Sequence, residues 1–77
     1  MTNQEISQIV STQKFYTITT DGGGKYVGFI DGPYNGFKDA LLEGYEYDYL
    51  YITLINSQQQ ILRLFSHNIV RIEEFDI

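Results

Sequence analysis

The chain contains no cysteine and no tryptophan, and only one proline, one methionine and one histidine. Without cysteine there is no disulfide staple and no thiolate metal site, a composition that fits a reducing compartment. One histidine leaves zinc without its usual donors, so neither metal nor cofactor is expected. Bases are scarce: five Lys and Arg stand against ten Asp and Glu, a net charge of −5. That balance argues against a generally cationic nucleic-acid binder. Long apolar runs are missing as well, and none approaches the ~20 residues that span a bilayer. The start, Met1-Thr2-Asn3-Gln4-Glu5, is polar and lacks the basic opening of a signal peptide. The expectation is a soluble cytoplasmic protein with no membrane partner.

Catalytic machinery is also missing. His67 is the lone histidine, and no nucleophile with an oriented base stands out beside it. Asp21-Gly22-Gly23-Gly24 precedes a strand-like run, so it lacks the helix N-terminus of a phosphate-binding loop. Glu73, Glu74 and Asp76 form no organised cation cage. No enzyme activity is expected.

What the chain has is aromatic residues, seven Tyr and five Phe in 77 residues. This length makes one domain, residues 1–77. Such a domain buries only about 60% of its unfolded surface, and oligomerisation is a common remedy. The acids are clustered. Asp39, Glu43, Glu46 and Asp48 lie together, and Glu73, Glu74 and Asp76 end the chain. Apart from these, five bases face three acids, which leaves room for a weakly basic surface elsewhere.

Thr2 or Asn3 can cap a helix over about 3–11, with Ile6, Ile9 and Val10 on one face. Two turns are marginal alone, so that face must dock on the rest. Residues 15–20 and 25–31 are rich in β-branched and aromatic types and flank the glycine turn as a hairpin. Gly28, inside the second strand, marks a bend, a bulge or a close backbone approach. Gly32-Pro33-Tyr34-Asn35-Gly36 reads as a break. Residues 37–44 suit either a helix stopped by Gly44 or an extended excursion. Residues 45–55 form a long strand with Leu50, Ile52 and Leu54 inward and Tyr47, Tyr49, Tyr51 and Thr53 outward. A turn at 56–59 leads to strands over 60–66 and 69–75. Leu62 and Leu64 face inward on the first of these, and Ile61, Arg63 and Phe65 face outward. The predicted fold is mainly β: a short helix, then a strongly bent, five-stranded SH3-like or Sm-like small barrel.

The stretch Leu64-Phe65-Ser66-His67-Asn68-Ile69-Val70-Arg71-Ile72 resembles the second signature of the Sm and LSm family. Leu64, Asn68, Ile69 and Ile72 fall in its register, while Phe65 and Ser66 replace its usual Arg-Gly. Phe65 and His67 also resemble the turn of the bacterial Hfq branch. Gly23, Tyr26, Gly28 and Ile30 follow the first signature, but the Asp and Asn that the family carries further on are replaced. Residues 39–47 look like an insertion. The chain is similar to the divergent Sm-like proteins carried by phages, cyanophages among them. The resemblance implies a homo-oligomeric ring in which strand four of one subunit pairs with strand five of the next. Two open edges on a small barrel are a liability unless paired.

The same resemblance implies binding of single-stranded RNA, or DNA, near the ring pore. It carries over Phe37 and Lys38 after strand two, and Ser66, His67 and Asn68 after strand four. Tyr34 is a further candidate. An aromatic ring can stack a base, a lysine can neutralise a phosphate, and Asn and His can bond base edges or the 2′-hydroxyl. Each residue also has a plainer reading. Phe37 and Tyr34 can pack the barrel, Lys38 can be a solvated charge, and Ser66-His67-Asn68 can simply close a turn. The Tyr45-Tyr47-Tyr49-Tyr51 ladder reads as a packed cross-strand face or interface before it reads as a stacking platform. Two functions therefore remain: a ring that binds single-stranded nucleic acid, or an SH3-like protein-interaction module or oligomeric scaffold whose tyrosine face is the contact surface.

Overall fold

A computed structural model describes residues 1–11, 13–55 and 58–75 of the chain. The expected turn residues 56 and 57, and Asp76 of the terminal acid cluster, lie outside the described residues. The described chain is mainly β, with helix α1 (Asn3–Ile9) and strands β1 (Phe15–Thr20), β2 (Lys25–Lys38), β3 (Glu46–Leu54), β4 (Ile61–Phe65) and β5 (Ile69–Glu74). The strands form one antiparallel sheet in the order β4-β3-β2-β1-β5. No helix is long and apolar enough to cross a membrane among the described residues.

Helix α1 starts at a capping box. Thr2 Oγ1 accepts from Glu5 N, and Glu5 Oε1 accepts from Thr2 N. These hydrogen bonds favour the ionised carboxylate and hold the Glu5 pKa below its ordinary value. The helix ends earlier than its apolar spacing predicts. Val10 turns extended after donating to Ile6 O, and Ser11 N donates to the Tyr16 hydroxyl, 2.6 Å away. Ile6 is the one fully buried residue of the helix and packs it into the core.

The core lies on one face of the sheet. Ile6, Tyr16, Ile18, Leu50, Ile52, Ile69 and Ile72 form it, with Leu54, Leu62 and Leu64 packed at its margin. The inward set expected on β3 and β4 is therefore the set observed. Gly28 allows a close approach: a Cβ there would stand 1.9 Å from Thr53 O.

Strand β2 departs most from expectation. It does not stop at 31 but runs for fourteen residues. Its register against β3 shifts between Asp31 and Tyr34 and again between Tyr34 and Phe37. Gly32 (φ 123°) and Gly36 (φ 74°) supply the backbone conformations for those bulges. Pro33 follows a cis peptide bond inside the first bulge, where its missing N–H breaks no ladder pair. The Gly-Pro stretch is thus a bend within a strand. Residues 40–42 form a single 3-10 turn, started by Asp39 Oδ1 accepting from Leu41 N.

The end of β4 and the start of β5 lie close together, although these strands are the two edges of the sheet. In a flat sheet of this order, β4 and β5 would lie about 19 Å apart, four spacings of ~4.8 Å. Yet they are joined by one 3-10 turn, Ser66–Asn68, which advances only ~2 Å per residue. The sheet must therefore curl strongly, although no ladder joins β4 to β5 among the described residues.

Candidate functional site

The outer face of β2, β3 and β4 carries a continuous layer of rings. Strand alternation puts Tyr47, Tyr49 and Tyr51 on this side of β3, opposite Leu50 and Ile52. Tyr34 and Phe37 join them from β2. Three residues apart, these two would point to opposite faces of a regular strand. The bulge between them returns both to the same face. Phe65 comes from β4 and His67 from the turn that follows it.

The rings are in mutual contact. Tyr34 stacks on Tyr49 with centroids 5.5 Å apart, and Phe37 meets Tyr49 edge-on at 5.5 Å. Tyr47 lies 5.0 Å from Phe65 and 4.7 Å from the His67 ring. His67 and Phe65 are nearly parallel, 14° apart, at 6.0 Å. The guanidinium of Arg63 sits over Phe37, 3.6 Å from its centroid, and 5.8 Å from that of Phe65. Such pairs fix ring geometry at ~0.5–1.5 kcal/mol each beyond their burial. The tyrosine ladder is therefore packed across strands while one side of it stays open to solvent.

The six residues picked from sequence divide. Tyr34, Phe37 and His67 come together on the aromatic face. Lys38 does not: it is paired in register with Glu46 at the end of the β2–β3 ladder and alternates away from Phe37. Ser66 is buried, 2% exposed, and its hydroxyl donates to Asn3 Oδ1 at 2.5 Å. Its hydroxyl is engaged within the fold rather than presented to solvent. Asn68 is half-buried, and its carbonyl accepts from Asp21 N at 2.8 Å, tying the turn to the end of β1. Asn3 was not singled out, yet it joins three parts of the site. Besides accepting from Ser66, it donates through Nδ2 to Tyr34 O (3.0 Å) and Asn35 Oδ1 (2.8 Å). Arg63 and Phe65 were missed as site residues. Their shared parity on β4 was the signal that could have found them.

Tyr34 also donates its hydroxyl to the Asp31 carboxylate. That hydrogen bond, with some desolvation, raises the Tyr34 pKa above the usual phenol value. Glu46 and Asp48 alternate to the other side of β3 from the tyrosines, and Asp48 Oδ1 accepts from Gly36 N at 3.2 Å. A groove of about 450 Å³, with Asn3, Glu46, Tyr47, Asp48, Ser66 and His67 in its lining, adjoins the Tyr47–His67 end of the ring layer, so two carboxylates stand there and disfavour a phosphate. Among the described residues no group of three metal-ligating side chains occurs.

The sheet edges carry apolar residues to the surface. Ile61 on β4 and Val70 on β5 are each more than half exposed, and Phe75 is exposed just past β5. Comparison with protein-family models, curated proteins and solved structures found no match to this chain.

Proposed function

We propose that this chain is a subunit of an Sm-like homo-oligomeric ring, working in the cytoplasm, that binds single-stranded nucleic acid, RNA first. The aromatic face carries the reading. Tyr34 and Phe37 from β2 and His67 from the turn after β4 join Tyr47 and Phe65 in one open layer of rings. Stacking of unpaired bases on such rings is worth ~1–3 kcal/mol per base and tolerates any sequence. The ring form is supported by β4 and β5 being the two ends of the sheet, each with an exposed apolar residue. Unpaired edges that meet head-to-tail between copies satisfy their backbone groups and can close a cycle. The curled sheet would then be the small barrel of that family, and each copy would repeat the binding face.

Two measurements test this. Light scattering at micromolar protomer should give a closed oligomer, and Ile61→Lys with Val70→Lys should reduce it to monomer. Labelled oligo-U and oligo-A should bind at low salt, and Phe37→Ala with His67→Ala should weaken both. A wild-type monomer removes the ring; absence of binding removes the ligand. A second reading has its own observation. Leu41 is 91% exposed beside exposed Leu42 and Tyr45 at the β2–β3 tip, a patch suited to a protein partner. Oligomerisation without oligonucleotide binding would favour that scaffold reading.

A further inference from the structure

We infer that Arg63 is the phosphate-binding cation of the aromatic face, held in place for a nucleic-acid strand by Phe37. The inference rests on the nucleic-acid reading above and names the group that would grip the backbone. The five bases of the chain have different surroundings. Lys14 is paired with Glu74 at 3.6 Å, and Arg71 with Glu73 at 3.0 Å. Lys38 lies across the ladder from Glu46, and Lys25 opens β2 opposite Thr19, away from the rings. Arg63 alone stands among the rings.

Its geometry is that of a prepared donor. Arg63 is exposed, its Cζ lies 3.6 Å from the Phe37 centroid, and its backbone is fixed in the ladder opposite Tyr51. Packing on the ring restrains the long side chain, so less rotamer freedom is given up on binding. Among the described residues the guanidinium has no ion pair and no hydrogen bond to the protein. Its five N–H donors therefore remain for a ligand, and their planar fork matches two phosphate oxygens. Tyr49 and Phe65 each contact the Phe37 ring beneath it, so a phosphate held at Arg63 would leave its neighbouring bases within the ring layer.

The test is fluorescence-anisotropy titration of labelled oligo-U across a salt series, using the full chain and its Arg63→Ala, Arg63→Lys and Lys25→Ala forms. Circular dichroism first checks that each variant is folded, as expected for exposed positions. Arg63→Ala should weaken binding about tenfold or more at low salt. It should also flatten the slope of log K against log salt by about 0.7 for each phosphate that is no longer neutralised. Arg63→Lys should keep most of the slope but bind more weakly, because an ammonium does not present the planar fork. A role limited to packing against Phe37 would lower affinity without moving the slope. Lys25→Ala should match wild type. Wild-type binding that survives Arg63→Ala with an unchanged slope overturns the role of Arg63 and leaves the nucleic-acid reading standing. No binding by wild type overturns both.

Discussion

Replacing Gly28 with alanine should strongly destabilise an isolated subunit. The added Cβ would lie 1.9 Å from Thr53 O and 2.7 Å from the same carbonyl carbon. Comfortable contact begins near ~3.5 Å, so β2 and β3 would have to part locally by roughly 1.5 Å. The obstacle is backbone, and no rotamer change can relieve it. Overpacking of this kind costs about 1–3 kcal/mol. Parting the strands also sacrifices one or two ladder hydrogen bonds beside Gly28↔Leu54, each worth ~1 kcal/mol. The expected loss is about 2–5 kcal/mol on these terms. For a chain this long the whole stability is of the order of 4–12 kcal/mol, from 0.05–0.15 kcal/mol per residue. Urea unfolding followed by far-UV circular dichroism would measure the loss. All variants must be compared at one protomer concentration, because assembly adds stability by mass action. Gly22→Ala is the control, since nothing lies within 4 Å of its added methyl, and it should stay within ~0.5 kcal/mol of wild type. A Gly28→Ala protein within 1 kcal/mol of wild type, by the same ~1 kcal/mol scale of a single hydrogen bond, would refute the close-approach reasoning.

Three further outcomes are expected. Tyr16→Phe removes a buried hydroxyl that accepts from Ser11 N and donates to Ile9 O; urea midpoints should report a loss of about 1–2 kcal/mol, because two backbone groups at the helix exit lose their partner. Ser66→Ala should cost about 1 kcal/mol through the missing bond to Asn3, yet leave oligo-U affinity unchanged in the anisotropy assay. Alkaline melts should expose Tyr34. Its pKa is raised in the folded chain by the hydrogen bond to Asp31, so its stabilising contribution is complete below the ordinary tyrosine pKa and disappears as pH rises through the raised value. Tyr34→Phe should lack that alkaline step, and an identical pH profile in the two proteins would count against the Tyr34–Asp31 bond.

The sequence determined the features that depend on local chemistry. Alternation on β3 fixed which side of the strand holds Leu50 and Ile52 and which holds the tyrosines, because successive side chains must leave a strand on opposite faces. The glycine turn and its flanking runs fixed the first hairpin, and Gly28 announced itself as special without saying in which of three ways. Tertiary structure decided the rest. Whether Gly32-Pro33 ends a strand or bends one depends on whether β3 is present to pair with the chain beyond it, and the bulges that result bring Tyr34 and Phe37 to one face. Ser66 is buried, and its hydroxyl is satisfied there by Asn3, 63 residues away along the chain. Lys38 is turned from the rings, and Arg63 is laid on Phe37, by register between strands. Periodicity is a property of one strand and can be read along the chain. Register, bulges and burial are properties of the partner, and exist only once the strands have paired and curled over their core.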